Sequence, residues 1–208
     1  MRANKSFINK ELESNFKNRK IIVKWFDNLQ EVKSYLLSQI PTEATIGIGN
    51  SQTLKLMKLV EAFLDRGNTV YDKTLGSTLE EIKALKRKAL LTDYYISSAN
   101  AISEDGRIVN IDHSGNRVAA ITYGPEKVFL VISKNKITAT YDEALNRARN
   151  IAAPLNAKRA KMSPPCVEAG KCVDCISPER VCNIISTIEG QYIEGRLTVL
   201  IVDEEVGF

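Results

Sequence analysis

The architecture turns on Ala44-Thr-Ile-Gly-Ile-Gly-Asn-Ser-Gln-Thr-Leu-Lys-Leu-Met-Lys-Leu-Val-Glu-Ala-Phe-Leu-Asp-Arg66. Ala44 to Ile48 is short, apolar and ends in glycine, as a buried strand does. Ser51 to Arg66 repeats apolar residues at helical spacing and predicts a helix. Leu56, Met57, Val60, Phe63 and Leu64 are expected on its inner face, with Gly67 as the stop. A strand that runs through a glycine turn straight into a helix predicts an α/β domain with a mainly parallel sheet.

The flanking sequence extends the same alternation. Upstream, Lys20 to Trp25 predicts a strand. Asp27, with Gln30 as capping-box partner, opens a helix carrying Leu29, Val32, Leu36 and Ile40, which Pro41 closes. Downstream come a strand at Thr69 to Tyr71 and a second capping box from Ser77 to Glu80. A strand from Asp93 to Ser97 follows. Ala101 to Glu104 and Arg107 to Asp112 flank Asp105-Gly106, a short-hairpin signal. Val128 to Ile132 is the most apolar strand. Thr140 to Glu143 is a third capping box, opening a helix through Ala148, and Leu197 to Val202 is the last strand. Residues 1–18 are expected to form a helical extension of a single domain spanning 1–208. Residues 154–182, which hold four prolines and every cysteine, are expected to be an irregular excursion within it.

Composition bounds the function. The chain has 208 residues, 44% hydrophobic and 26% charged, which suits a globular domain. Its 29 Lys+Arg stand against 25 Asp+Glu, a net +4 with the signs interspersed, so nucleic acid is not an expected partner. The longest apolar runs are about five residues against the ~20 of a membrane span. Met1 to Lys20 is charged throughout, unlike a signal peptide, so a cytoplasmic protein is expected. A homodimer is left open.

Two regions carry candidate chemistry. In the glycine turn, Gly49, Asn50, Ser51 and Thr53 offer close backbone approach, free amides at a helix start and hydroxyl donors, which suit a small anionic ligand. The turn lacks the third glycine of a dinucleotide fingerprint and the Gly-Lys of a P-loop. A purely structural cap is the competing reading. The second region runs from 93 to 117. Asn100, Glu104, Asn116 and Arg117 are candidates to line a pocket, with Arg117 as a bidentate clamp. Asp93, Glu104 or Asp112 can serve as a general base if buried beside a substrate. His113, the single histidine, has no nucleophile tied to it and reads as a surface loop residue.

Ile46 to Thr53 resembles the phosphate-binding turn of the ribose-5-phosphate isomerase and CoA-transferase-like superfamily. Thr92-Asp-Tyr-Tyr-Ile-Ser-Ser-Ala-Asn-Ala-Ile-Ser-Glu-Asp-Gly-Arg-Ile-Val-Asn-Ile-Asp112, with Ser114-Gly-Asn-Arg-Val-Ala-Ala-Ile121, closely resembles the LUD domain of lactate-utilisation proteins. Tyr123 to Ile132 and Leu197 to Phe208 fit as well. The resemblance implies a three-layer α/β fold and a cytoplasmic role linked to lactate oxidation, beside iron–sulfur lactate-oxidation subunits. It implies no defined reaction. It carries Gly49, Asn50, Ser51 and Thr53 as anion-turn residues, and Asn100, Glu104, Asn116 and Arg117 as pocket-lining ones.

The cysteines are spaced Cys166-x5-Cys172-x2-Cys175-x6-Cys182. In a reducing compartment such clustering favours metal over disulfides. Cys172 and Cys175 supply a short-range chelating pair, and Cys166 and Cys182 can complete a thiolate set for zinc or an iron–sulfur cluster. A reversible dithiol switch and inert packed thiols are the alternatives. Three functional classes remain. The first is a redox-pathway accessory that binds a small anion. The second is a stand-alone enzyme acting on a phosphorylated or CoA-type substrate with Asp93 or Glu104 as base. The third is a ligand-sensing scaffold.

Overall fold

The computed structural model describes residues 9–208. Of the expected N-terminal helical extension, α1 covers Lys10–Asn18, with Asn9 as its cap; residues 1–8 lie outside the described residues. Then follow β1 (Ile22–Phe26), α2 (Leu29–Gln39), β2 (Thr45–Ile48), α3 (Gln52–Leu56), α4 (Leu59–Asp65) and β3 (Thr69–Tyr71). The middle of the chain holds α5 (Leu79–Lys88), β4 (Tyr94–Ser97), β5 (Ala101–Ser103), β6 (Ile108–Asp112), α6 (Asn116–Thr122) and β7 (Lys127–Ser133). The last third holds β8 (Ile137–Thr138), α7 (Tyr141–Arg147), α8 (Ala153–Arg159), α9 (Cys166–Ala169), β9 (Ile184–Ile188) and β10 (Leu197–Val202).

Six strands form a wholly parallel sheet in the order β1-β10-β7-β4-β2-β3. Alternate side chains leave its two faces, as a pleated strand requires. From β7 and β10, Phe129, Val131, Leu200 and Val202 pack with Val32, Leu36, Leu54 and Phe63 of α2–α4. Val128, Leu130, Ile132, Val199 and Ile201 pack on the other face with α1, α6 and strands β5 and β6. Those strands belong to a second, mixed sheet ordered β8-β5-β6-β9. Ala101, Val109 and Ile111 on its far side meet Ala144, Ala148 and Ala153 of the α7–α8 stretch. The expected α/β layering is therefore present, and the second sheet thickens one outer layer.

Several local expectations shift. The predicted helix from 51 to 66 is two helices, because Lys58 takes a left-handed conformation at φ 49°. The break re-phases the second half, so that Leu54, Met57, Leu59 and Phe63 all reach the core while Leu56 and Leu64 stay exposed. In an unbroken helix Leu54 and Leu59 are ~140° apart and cannot share one face. The first two caps fall one residue later than read. Asn28 caps α2, and Thr78 with Glu81 forms the box at α5; Thr140 with Glu143 holds as expected. Residues 154–182 are less irregular than their prolines suggest. The helix runs past Pro154 to Arg159 through a π turn at Ala148–Ala152, whose wider spacing accommodates a ring that has no N–H to donate. Strand β9, an edge strand with mostly half-exposed residues, was not legible from periodicity.

Candidate functional site

Parallel strands all end on one side, and their carboxyl ends open onto a cavity of about 280 Å³. Ile48 closes β2, Tyr71 closes β3, Ser98 to Asn100 follow β4, and Lys136 follows β7; all line it. The second sheet and its helices form the facing wall through Ile111, Asp112, Asn116, Arg117, Asn156 and Arg159.

The structure brings Asn50, Ser51, Thr53, Asn100, Asn116 and Arg117 together on the wall of this cavity. Ser51 makes no side-chain capping bond, so its hydroxyl is not engaged by the helix it precedes. Thr53 is fully buried and its Oγ1 has no hydrogen-bond partner among the described residues. A buried hydroxyl left unpaired costs roughly 1–3 kcal/mol, which a bound acceptor or donor would recover. Helix α3 has only five residues, so its dipole adds little.

Three sequence candidates fall elsewhere. Gly49 does not line the cavity, and its N–H donates to Ile96 O at 2.8 Å as part of the sheet. A Cβ there would stand 2.5 Å from Ser97 Oγ, so the glycine serves close packing of β2 on β4 and not ligand approach. Asp93 sits at the amino end of β4, away from the cavity. Its Oδ2 accepts from Thr45 N and Thr45 Oγ1, both at 2.7 Å, and these bonds hold its carboxyl below the usual range. Glu104 belongs to the α1 side of the hairpin, where its Oε1 accepts from Asn9 Nδ2 at 2.8 Å. Neither carboxylate reaches the cavity, which corrects their assignment as general bases.

Arg117 lines the cavity with its donors engaged by the protein. Nη1 donates to Ser98 O and Asn110 Oδ1, both at 2.8 Å. Nη2 donates to Ile111 O at 2.8 Å and Asn100 Oδ1 at 3.3 Å, and Nε faces Asp112 Oδ1 at 3.5 Å. Asp112 also accepts from Arg117 N, so the only carboxylate side chain that the described residues put on the wall is tied to this one cation. Arg117 staples the loop after β4 to β6 and supplies charge, and no free fork is left for a ligand.

Four other cations line the cavity that sequence reasoning missed: Lys73, Lys86, Lys136 and Arg159. None of them takes part in an ion pair among the described residues. Burial lowers the Lys73 pKa first, and the charges of Lys86 and Arg159 lower it further. Lys136 is only 3% exposed, and its Nζ donates to Ser98 Oγ at 3.1 Å. Burial, with Arg147 and Arg117 adding to it, lowers its pKa to about 7. A usable signal existed for Lys73 and Lys136, since both lie in loops that follow parallel strands. For Arg159 and Lys86 there was none, because both ride on helices brought in from distant sequence.

The four cysteines also converge. Cys166, Cys172, Cys175 and Cys182 line one small pocket of about 30 Å³ beside Arg149 and Arg180. All are free thiols. Arg180 Nη1 donates to Cys175 O at 3.0 Å, and its Nη2 to Cys182 O at 3.1 Å and to Cys182 Sγ at 3.5 Å. Burial pushes the Cys166 thiol up, and the charges of the other three cysteines act in the same direction. Among the described residues, no three of His, Cys, Asp and Glu stand close enough as placed to hold a metal ion.

A parallel sheet between helical layers, with a mixed second sheet and a polar cavity at the strand ends, defines a three-layer α/β architecture. The LUD domain family model matches residues 9–202, so the chain belongs to the LUD domain family. Among solved structures it is similar to a DUF162 family protein from Deinococcus radiodurans. That chain is 13% identical; the match covers 92% of this chain and 94% of that one, with a TM-score of 0.50, and it establishes the fold alone. No curated protein matches. No helix among the described residues is long and apolar enough to cross a membrane.

Proposed function

We propose that this LUD-domain protein binds a small anionic ligand in the cavity at the strand ends, and that it does so as a redox accessory in lactate utilisation alongside iron–sulfur lactate-oxidation subunits. One observation carries the ligand class. Lys73, Lys86, Lys136 and Arg159 face a common space without an ion-pair partner among the described residues, and the one carboxylate side chain that these residues put on the wall, Asp112, is held by Arg117. Like charges gathered in a half-buried space repel one another, and a bound anion relieves that repulsion. Unpaired Thr53 Oγ1 and uncapped Ser51 supply hydroxyls for its oxygens.

Calorimetric titration with inorganic phosphate at low salt tests this reading. The parent protein is expected to bind. The double variant Lys73→Ala, Lys86→Ala is expected to bind about 5- to 30-fold more weakly, or roughly 1–2 kcal/mol, with unchanged stability. No binding by the parent, or equal affinity in the variant, would remove the anion site.

The redox part of the reading rests on the cysteine pocket. Four reduced thiols beside two guanidiniums suit a thiophilic metal, zinc or an iron–sulfur cluster, and the cations offset thiolate charge. The thiols as placed do not form a closed single-ion shell, so loading would draw the segment inward. Protein prepared anaerobically should carry about one zinc, or a cluster with visible absorbance, per chain. Metal-free protein with four freely titrating thiols would leave the segment with a dithiol or packing role. The competing enzyme reading, with a carboxylate base acting on a phosphorylated or CoA-type substrate, lacks a free carboxylate: Asp93 and Glu104 are turned to other bonds and Asp112 is held by Arg117.

A further inference from the structure

Lysine is almost never buried without a partner, because an ammonium removed from water needs a carboxylate or a full set of acceptors. Lys136 has neither. Among the described residues its Nζ has one hydrogen-bond partner, Ser98 Oγ, and the charged groups that act on it are the guanidiniums of Arg147 and Arg117. Arg147 is itself occupied, donating to Asn135 O at 2.9 Å and Asn100 O at 2.6 Å. The amine nevertheless lines the cavity, and unpartnered Thr53 Oγ1 lies close by. A Cβ on Gly207, which covers this floor, would stand 2.8 Å from Thr53 Oγ1 and 3.4 Å from Lys136 Nζ.

An ammonium so placed is a poor structural element, and an uncharged amine is a nucleophile. We propose that Lys136 condenses with a small anionic carbonyl compound, an aldehyde or ketone bearing a carboxylate or phosphate, to form an imine in the cavity. The proposal rests on the anion-binding reading and deepens it: Lys73, Lys86 and Arg159 hold the anionic group, and the carbonyl is presented to Nζ. The Nζ lone pair attacks the carbonyl carbon. The carbonyl oxygen then leaves as water, taking the two hydrogens of the neutral amine, and a C=N bond replaces C=O. No oxidant or reductant is needed. A substantial uncharged fraction of Nζ near neutral pH agrees with the surroundings, where burial and two neighbouring cations all disfavour the ammonium. The imine, once protonated, withdraws electrons from the adjacent carbon, which is the chemistry such lysines supply.

The test uses the full chain and two probes, glyoxylate and pyridoxal 5′-phosphate, each near one equivalent, followed by borohydride. Borohydride reduces any imine to a stable secondary amine that intact-mass and peptide mapping locate. One adduct per chain at Lys136, suppressed by excess inorganic phosphate and absent from Lys136→Arg and Lys136→Met, is the expected result. Adducts scattered over surface lysines, or none at Lys136 in the parent protein, would overturn the proposal, and that reading needs no variant to fold. Phosphate binding measured beside it separates the two ideas. Binding without a Lys136 adduct sinks the imine and leaves the anion cavity. An adduct insensitive to phosphate, with no phosphate binding, sinks the cavity reading and with it the proposal as stated.

Discussion

The cationic cavity and the cysteine pocket share Ile111 on their walls yet are assembled in opposite ways. All four thiols come from the short segment between Cys166 and Cys182. The cavity's cations come from five separate places: Lys73 after β3, Lys86 on α5, Arg117 on α6, Lys136 after β7 and Arg159 at the end of α8. A local cluster announces itself by spacing. A dispersed one exists only once the sheet has aligned its strand ends. Within the cavity a second contrast matters as much. Arg117 meets five oxygens supplied by the fold, and Lys136 meets one. The first is a structural staple and the second is left with little to hold it, although both are basic side chains lining one cavity.

Arg117→Ala puts that contrast at greatest risk. It would leave Ser98 O, Ile111 O, Asn110 Oδ1 and the Asp112 carboxylate without their donor, so a loss of roughly 3–5 kcal/mol is expected in chemical denaturation. A variant of native stability that merely bound phosphate less well would return Arg117 to the role of ligand clamp.

Lys136→Met should move stability in the opposite direction, with a pH signature. With a folded pKa of about 7 against the ordinary 10.5, the unfolded chain binds the extra proton between those values. The lysine therefore opposes folding most at and below neutral pH, and less as pH rises toward 10. The variant is expected to be more stable than the parent at pH 6–7, with the gap closing by pH 10. A gap that stays constant across this range would mean that Lys136 keeps its proton in the folded state.

Asp93→Asn is the smallest of these effects and tests the far end of the sheet. The carboxylate's bonds to Thr45 lower its pKa, so its contribution is present above the unfolded value near 4 and is lost as pH falls through the folded one. A cost of about 1 kcal/mol at pH 7, fading in acid and leaving phosphate affinity untouched, is expected. Altered phosphate binding would tie this end of the sheet to the cavity after all.

Much of the fold was legible because its signals are local. The Thr140–Glu143 box and the Leu197 to Val202 strand depend on neighbours within a few residues, and both stand as read. The turn at Asn50, Ser51 and Thr53 was placed beside the cavity because a strand-to-helix junction in a parallel sheet must lie at the carboxyl ends of the strands. Glu104 and Asp93 were misassigned because a carboxylate's residue type says nothing of which end of the sheet its strand presents. Gly49 looked like a ligand glycine until the neighbour it avoids, Ser97, was seen beside it.

From the chain alone came the alternation of strands and helices, the hairpin at Asp105-Gly106 and the thiol cluster, all set by short-range periodicity, capping and spacing, and the family, through its resemblance over residues 92–121. Tertiary structure decided which polar groups are satisfied. A buried charge is quiet or reactive according to the acceptors that remote segments bring to it, and those distances, unlike a helical repeat, have no trace in the order of residues.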